Sequence, residues 1–355
     1  MSLTTEIRPG ANRYLNYAGA LNELPTLLAP FTQPIIVTGT KSYAAFTAVA
    51  PELAYPVFRY DGTASDEDAA RIAQAAPAAD SVIGIGGGRV LDTAKDTAEL
   101  LGRPFVSIPT LASNCAPYTP IAAIYHPDHS FKHVAYFTQA AYATVVDWAL
   151  IVTTPRDYFI AGIGDTLAKW YELEGLTRGR EAKLPAFSRV AKAIAGEIFT
   201  TLKTQAKDAL AALDAGEVTP AFTDVADTII GVAGTTGGFG VADGRQAGAH
   251  AVHNGLTHLP ETHAVLHGSK VAYGILVQLA HTGDMAEIQT ILPFYRAIGL
   301  PTKLADLNIT TDVDAKMATV AATAASDAES FKLVDPAITP AQVVAAMQLV
   351  EAQSV

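Results

Sequence analysis

The chain contains 355 residues, half of them hydrophobic and 17% charged, and its formal net charge is −11. A chain of this length usually divides into two domains of roughly 150 to 200 residues, and this composition is typical of a globular α/β protein. The negative charge argues against nucleic acid or an anionic membrane as a partner, because such proteins need clustered Lys and Arg to neutralise phosphates.

The sequence shows neither a membrane-spanning pattern nor a set of cysteines. Residues 1–6 show no basic segment followed by an apolar stretch, and no window reaches the ~18 uninterrupted apolar residues of a membrane-spanning helix. We therefore expect a cytoplasmic protein. The single cysteine, Cys115, excludes an intramolecular disulfide and a multi-thiolate zinc site. Any metal should accordingly be held by histidines and carboxylates.

Between residues 34 and 147, apolar β-type runs alternate with helical patterns. Strands are predicted over 35–38, 55–60, 81–86 and 105–109, helices over 42–50, from 65 and over 89–102, and a further pair of β-type runs over 122–125 and 143–147. Asp66, Glu67 and Asp68 follow Ser65 and suit the positive end of a helix dipole. The alternation predicts a parallel sheet flanked by helices.

After about residue 151 the strand signal fades and an apolar period of about 3.6 residues dominates. This period predicts helices over 186–214, 219–234, 245–258, 267–281 and 284–298. The change of period places a domain boundary near residue 150, with an α/β domain over 1–150 and an α-helical domain over 151–355.

A glycine-rich turn, Gly84-Ile85-Gly86-Gly87-Gly88, lies between an apolar strand and a helix. Glycines let the backbone approach a phosphate closely, and free N–H groups at a helix start point towards an anion. The turn departs from the Rossmann pattern GxGxxG, because Arg89 stands where the last glycine belongs. By itself it fits a tight turn as well as a phosphate cradle.

Three segments of the helical half carry metal-ligand residue types: one contains Asp165, one His250 and His253, and one His267. One carboxylate and two imidazoles from separate helices would leave open positions for a substrate, as a catalytic divalent site requires. A lone histidine on an apolar helix is more often a core residue, so the prediction depends on the complete set.

These motifs, together with Pro109-Thr110-Leu111-Ala112-Ser113, resemble those of the iron-containing (group III) alcohol dehydrogenase superfamily. Within it, the chain is similar to glycerol dehydrogenases and most similar to bacterial hydroxycarboxylate dehydrogenases. The recognisable motifs span roughly residues 80 to 280. The resemblance implies a Rossmann-like, dinucleotide-binding α/β domain followed by an all-α helical bundle that binds metal and substrate, the fold of dehydroquinate synthase.

The resemblance also implies a nicotinamide cofactor. The residues that would contact it are Gly39, Lys41, Gly86, Gly87, Gly88, Asp92, Thr110 and Ser113, with Thr119, Ile121 and Tyr125 on the nicotinamide side. Many relatives place an Asp at the end of the first strand, where it binds both ribose hydroxyls, whereas this chain continues with Gly39 and Lys41. NADP(H) is therefore plausible beside NAD(H), with Lys41 pairing with the 2′-phosphate or lying in a solvated loop.

By the same resemblance, Asp165, His250 and His267 would be the metal ligands. Iron-dependent relatives add a histidine one helical turn after the Asp, and Lys169 occupies that place here. An ammonium group cannot ligate a cation, so a three-ligand zinc site is expected, with Fe²⁺ as the alternative. His253 would relay the substrate proton or hydrogen-bond a neighbouring helix.

The substrate-side residues depart from the glycerol dehydrogenase pattern. Cys115 occupies the position of an Asp that binds polyol hydroxyls in those enzymes. Lys169 and Arg245 are basic residues near the predicted metal site that could hold a carboxylate. Alternatively, Arg245 pairs with Asp243 or caps its helix, and Lys169 is a buried ion-pair partner.

We therefore predict a metal-dependent oxidoreductase that transfers hydride between NAD(P)H and a small 2-oxo acid or 2-hydroxy acid. The alternatives are a glycerol dehydrogenase, another small-alcohol dehydrogenase, or a lyase resembling dehydroquinate synthase. The lyase would need a cluster of Lys, Arg and Asn for a phosphorylated substrate, and the sequence shows no such cluster. The resemblance also leads us to expect a homo-oligomer.

Overall fold

A computed structural model describes residues 3–353, so the first two residues of the N-terminal segment and the last two of the predicted helical domain lie outside it. Within these residues, six parallel strands form one sheet in the order β1-β8-β5-β4-β2-β3, and β6 and β7 form an antiparallel hairpin. The strands are β1 Tyr14–Asn16, β2 Pro34–Thr38, β3 Val57–Arg59, β4 Ser81–Gly86, β5 Phe105–Pro109, β6 Ile121–Tyr125, β7 Phe131–Tyr136 and β8 Ala143–Val146.

Helices cover the sheet and make up most of the chain after β8. They are α1 Leu24–Leu28, α2 Thr40–Thr47, α3 Asp66–Ala75, α4 Gly88–Leu101, α5 Trp148–Ile151, α6 Arg156–Thr177, α7 Ala186–Ala215, α8 Pro220–Asp227, α9 Ala233–Gly240, α10 Gly248–Leu256, α11 His267–His281, α12 Met285–Ile298, α13 Val313–Ala324, α14 Phe331–Val334 and α15 Pro340–Glu351. The predicted architecture of a parallel-sheet domain and a helical region is confirmed. The exact division at residue 150 stays a prediction.

The central strands are apolar because helices bury the sheet on both faces. Strands β2, β4, β5 and β8 are buried along their whole length. On β2, Ile36 packs with residues of α1 and α5 on one face. Its neighbours Ile35 and Val37 pack with α3 and α4 on the other face. Alternate residues of one strand thus supply two separate cores.

The strand order creates a crevice at the carboxyl ends of β2 and β4. From β2 the chain continues to β3 on one side and then to β4 on the other, and both pairings are parallel. Ligands of open α/β sheets bind at such a switch point, outside the carboxyl ends of the strands. Gly39 follows β2 and Gly87 follows β4, so both glycines lie at this crevice.

Two strand features differ from the sequence prediction. The run over 122–125 belongs to the β6–β7 hairpin outside the main sheet, and β7 was not predicted because its residues are only half-buried and do not alternate clearly. The short strand β1, also unpredicted, adds to the sheet edge by pairing with β8. Both depend on pairing partners that the local sequence does not reveal.

One continuous helical stretch, Pro220–Asp243, is long and apolar enough to cross a membrane by composition alone. It comprises α8, a π-helical turn over Thr228–Val232 and α9. Within the fold, 67% of its most apolar window is buried. This burial is typical of a core helix in a soluble protein.

Candidate functional site

A cavity of about 750 Å³ lies between the carboxyl ends of the strands and helices α6, α10 and α11. It is lined by nearly all of the residues predicted from the sequence to form the site: Gly39, Lys41, Gly87, Gly88, Asp92, Thr110, Ser113, Cys115, Thr119, Ile121, Tyr125, Asp165, Lys169, Arg245, His250, His253 and His267. Gly86 is not among the lining residues. A Cβ there would lie 2.5 Å from Cβ of Val90, so this glycine permits the tight turn itself.

The glycine-rich turn presents the start of α4 to the cavity. Gly87 is the N-cap residue in an extended conformation, and no side chain caps the helix. A Cβ on Gly88 would lie 2.5 Å from the side-chain nitrogen Nδ2 of Asn114. Glycine at this position therefore leaves room for the Asn114 side chain to pack against the turn. The N–H groups of the first helical turn are thus available to an anion in the cavity.

Asp92 acts within the protein as well as facing the cavity. Its carboxylate lies 2.8 Å from Nζ of the buried Lys95 and accepts a hydrogen bond from the N–H of Ala123. Lys95 also donates to the carbonyl oxygens of Ala116, Thr119 and Ile121. Asp92 and Lys95 therefore hold the loop that carries Thr119 and Ile121, two of the three residues predicted to line the nicotinamide side.

Three helices bring the predicted metal ligands together. Asp165 lies on α6, His250 on α10 and His267 at the first position of α11. One ligand atom from each residue falls within 4.8 Å of the other two. Glycines allow this approach, because a Cβ on Gly268 would collide with the carbonyl oxygen of Ala161 on α6.

The cluster fits a divalent cation. Oδ1 of Asp165 lies 3.4 Å from Nε2 of both His250 and His267. Despite its burial, this oxygen accepts no hydrogen bond from any residue that the structure describes. Ligand atoms that converge at this spacing suit a bound metal ion, and the donor set of two imidazoles and one carboxylate suits zinc.

The charges of the cluster are strongly coupled. Burial alone would raise the pKa of Asp165, but the two imidazoles hold it well below its usual range. Burial alone would lower the pKa of His250, but the carboxylates of Glu172 and Asp165 raise it to about 9. Burial lowers the pKa of His267. A cation in the cluster would displace the proton from His250.

Glu172, which the sequence analysis did not assign, supports the cluster from behind. Its Oε2 lies 2.8 Å from Nδ1 of His250, and its Oε1 accepts hydrogen bonds from the N–H groups of Ala247 and His250. This contact orients the ring with Nε2 towards Asp165, a common arrangement behind metal-bound histidines. Glu172 lies two helical turns after Asp165 on α6, and that spacing was the available signal in the sequence.

His253 lies beside the cluster as a neutral imidazole. Its ring centroid is 4.1 Å from that of His267, and burial lowers its pKa well below the usual range. Asn254 donates to the carboxylate of Glu329, so its Oδ1 is free to accept from Nδ1 of His253 at 2.9 Å. Nε2 of His253 therefore carries a lone pair. The hydrogen-bond partner of His253 is thus on its own helix α10 and not on a neighbouring helix, as was the alternative prediction, and the proton relay stays a prediction.

Lys169, Arg245 and Cys115 line the main cavity and also a smaller pocket. Nζ of Lys169 donates to the backbone oxygen of Arg245 at 2.8 Å, which supports the loop before α10. The Arg245 guanidinium lies 4.9 Å from the ring centroid of Tyr136. Burial raises the pKa of Cys115, so this residue is a thiol rather than a thiolate. Asp243, considered as a partner for Arg245, accepts hydrogen bonds from Arg180 and Ser188.

The charge of the cavity is opposite to that of the chain. Its lining includes the cationic residues Lys41, Arg89, Lys169, Arg245 and Lys270. The carboxylates of the lining are those of Asp92, which is paired with Lys95, and Asp165, which belongs to the metal cluster. In a chain with a net charge of −11, this concentration of cations favours anionic ligands.

Comparisons with known proteins agree with this geometry. Residues 11–148 match the family described as iron-containing alcohol dehydrogenase. The chain is 36% identical to hydroxycarboxylate dehydrogenase A of Escherichia coli K12, covering 96% of each chain. It is 33% identical to a glycerol dehydrogenase of Escherichia coli O6:H1, covering 94% of each.

A solved structure of a probable glycerol dehydrogenase from Sinorhizobium meliloti superposes with a TM-score of 0.88 at 32% identity, covering 98% of each chain. The sequence relatives span almost the whole chain and are named dehydrogenases. This protein therefore belongs to the iron-containing alcohol dehydrogenases, a family of oxidoreductases.

Proposed function

We propose that this dehydrogenase interconverts small 2-oxo acids and 2-hydroxy acids, using NAD(P)H or NAD(P)⁺. The observation that supports this substrate class is the cationic wall beside the metal cluster. Arg245 and Lys169 line the cavity there, and the neutral thiol of Cys115 stands where a glycerol dehydrogenase would carry a carboxylate. A substrate carboxylate would meet attraction at this wall and no opposing acid.

Asp165, His250 and His267 would hold the divalent cation that this family uses, and zinc is proposed, with Fe²⁺ as the alternative. When bound, such a cation supplies Lewis-acid polarisation of a substrate carbonyl. Glu172 keeps His250 in the tautomer that leaves Nε2 free for it. The arrangement places the polarising centre next to the cationic wall that would bind the carboxylate.

The cofactor would lie along the crevice at the ends of β2 and β4. Nicotinamide cofactors supply or accept the hydride. The uncapped start of α4 and the side chains of Thr110 and Ser113 would bind its phosphates and ribose, and Thr119, Ile121 and Tyr125 would line the nicotinamide side. Lys41 also lines the cavity. It would lie at the adenosine end of the cofactor and pair with the 2′-phosphate of NADP(H).

His253 would take part in the proton transfer that accompanies hydride transfer. Because its imidazole is neutral and its Nδ1 donates to Asn254, Nε2 can accept a proton when an alcohol is oxidised. In the opposite direction, the same nitrogen would return that proton. Asn254 and Glu329 hold the ring in this orientation.

A glycerol or dihydroxyacetone substrate is the second candidate. It is favoured by the relatives named glycerol dehydrogenase, one of which is 33% identical across 94% of this chain. Against it stands Cys115 at the position where a carboxylate would bind polyol hydroxyls.

The deciding experiment measures initial rates of NADPH and NADH oxidation by zinc-loaded enzyme with 2-oxobutyrate and with dihydroxyacetone. We expect a higher kcat/KM with the 2-oxo acid. A preference for dihydroxyacetone would contradict the proposal and support the glycerol alternative.

Arg245→Ala tests the carboxylate contact directly. Loss of a charge-assisted hydrogen bond should lower kcat/KM for the 2-oxo acid by roughly ten- to a hundredfold, while the rate with an uncharged aldehyde changes little. Arg156→Ala is the matched control, because Arg156 pairs with Asp214 and is not among the residues that line the cavity. Equal losses for charged and uncharged substrates would argue that Arg245 is structural.

We further propose that the enzyme is cytoplasmic and homo-oligomeric, with a small-molecule substrate and neither nucleic acid nor membrane as a partner. The acidic charge of the chain supports the absence of polyanionic partners. Light scattering of the purified protein tests the oligomeric state, and fractionation of source cells tests the location.

A further inference from the structure

Lys270 is a buried lysine whose charge the proposed chemistry leaves unused. It lies one turn after His267 on α11, is 5% exposed and lines the cavity. Its Nζ donates to the carbonyl oxygen of Thr262 at 3.3 Å. Among residues 3–353, no carboxylate lies within ion-pair distance of this ammonium group, which has three N–H donors to satisfy. A buried ammonium group without a carboxylate partner destabilises the fold unless a bound anion accepts its remaining hydrogen bonds.

Arg89 also lines the cavity and, unlike Lys270, is exposed. It is the second residue of α4, directly after the glycine-rich turn. Its guanidinium lies 5.3 Å from the ring centroid of Tyr125, and Nη1 is 3.5 Å from both the Gly62 oxygen and Nδ1 of His129. The described part of the chain offers Arg89 no ion-pair partner either. Burial and the neighbouring Arg89 together lower the pKa of Lys270 to about 8.

Lys95 is a buried lysine with a structural role and provides a comparison for Lys270. Lys95 is equally buried, but it pairs with Asp92 at 2.8 Å and donates to several carbonyl oxygens of one loop. Lys270 and Arg89 instead line the cavity without a carboxylate partner among the described residues, and Arg89 is exposed to solvent. Like charges near one another disfavour their charged forms, and an anion bound close to both would relieve this repulsion.

We propose that Lys270 and Arg89 both bind the diphosphate bridge of the dinucleotide in this cavity. This inference rests on the proposed function. The diphosphate is the favoured anion because Arg89 adjoins the uncapped N–H groups of Gly87 and Gly88, which supply the helix N-terminus that phosphates prefer. The substrate carboxylate has its own cations, Lys169 and Arg245, on the Cys115 side of the cavity. Lys270 thereby makes the helical region a part of the cofactor site.

The test compares binding of NADH, ADP-ribose and adenosine to wild-type enzyme and to Lys270→Met, by calorimetry without substrate. ADP-ribose contains the diphosphate but no nicotinamide, and adenosine contains neither. We expect Kd to rise roughly ten- to a hundredfold for NADH and ADP-ribose, and to stay unchanged for adenosine. The melting temperature without cofactor should stay unchanged or rise, because the variant removes an uncompensated buried charge.

Arg89→Met provides an independent variant on α4 and should weaken binding of the same two ligands. Lys207→Met, which removes an exposed charge from α7, is the control and should leave all three affinities unchanged. Lys270→Arg should retain most of the NADH affinity.

Several results would overturn the inference. An unchanged Kd for NADH and ADP-ribose in both Met variants would do so, as would an increase confined to the KM of the 2-oxo acid, which would assign these cations to the substrate. A Lys270→Met variant that fails to fold, with normal NADH binding by Arg89→Met, would make Lys270 structural. If the wild-type enzyme bound neither NADH nor NADPH, the proposed function itself would fail.

Discussion

Glu172 supports both the metal cluster and the start of α10. One carboxylate oxygen contacts Nδ1 of His250, and the other accepts two backbone N–H groups at the helix N-terminus. Burial would raise the pKa of Glu172, but His250 and Lys169 lower it, so the side chain stays ionised. An ionised carboxylate behind a metal-ligand histidine increases the basicity of the ring.

We predict that Glu172→Gln weakens zinc binding by roughly 10- to 100-fold. Glutamine keeps an acceptor oxygen for the backbone N–H groups but turns a donor towards Nδ1, which disfavours the tautomer with a free Nε2. Competition with a chromogenic chelator measures the affinity. Glu174→Gln, on the exposed side of the same helix, is the control. Equal zinc affinities in the two variants would show that Glu172 is only a helix cap.

Asp96 is a second carboxyl whose environment changes its titration. Burial and the nearby carboxylates of Asp66, Glu99 and Asp92 raise its pKa to about 7. The folded chain therefore keeps a proton that an unfolded Asp loses near pH ~4. By linkage, the free energy of unfolding falls as the pH rises from the unfolded pKa of Asp96 to its folded pKa. The whole loss of stability is present above pH 7.

Asp96→Asn should therefore raise the melting temperature at pH 8 and have a smaller effect at pH 5. Calorimetry across this pH range measures the difference. Asp208→Asn, at an exposed position of α7, provides the comparison and should show no such trend. A stabilisation independent of pH would point to packing rather than charge.

At the scale of elements, the close approach of α6 and α11 decides whether Asp165 and His267 can share an ion. Gly268 packs directly against the carbonyl oxygen of Ala161, and Gly164 packs against the carbonyl oxygen of Gly268. Any side chain at these positions would separate the helices. The paired glycines therefore support the proposed metal site although neither would carry a ligand.

Gly268→Ala should destabilise the fold by roughly 1–3 kcal/mol, because the added methyl group forces the helices apart. Zinc affinity should fall in the same variant, since the ligand atoms then no longer converge. Gly196→Ala in α7 is the control: its Cβ would meet only Trp170, at 3.7 Å, and Ala should stabilise that helix by up to about 1 kcal/mol. Wild-type zinc affinity in Gly268→Ala would contradict the argument.

At the scale of the whole molecule, the metal cluster joins three helices that are distant in the sequence. Zinc that binds only the folded state should stabilise it by about 2.7 kcal/mol at a free concentration of 100 times its Kd. Melting curves with zinc and with chelator should differ accordingly for the wild type, and His267→Ala should abolish the difference. His258→Ala, at an exposed position, should retain it. A metal-independent melting temperature in the wild type would argue against the site.

The sequence alone determined the elements whose signal is local. Six elements lie within a residue of their predicted bounds: strands β2, β4 and β5 and helices α7, α11 and α12. Their burial on one or two faces gives a regular spacing of apolar residues that can be read from the sequence. The glycine-rich turn and the three ligand segments were readable for the same reason: each is a short motif of fixed spacing.

Only the tertiary structure decided what those motifs do to one another. The contact of Glu172 with His250, the packing of Gly268 on Ala161 and the charge repulsion between Lys270 and Arg89 all join residues far apart in the chain. No local period encodes such pairs, since they arise when helices pack and bury charge at a common cavity. The sequence determined which chemical groups are present. Packing decided which of them form hydrogen bonds, which converge as candidate metal ligands and which repel one another as like charges.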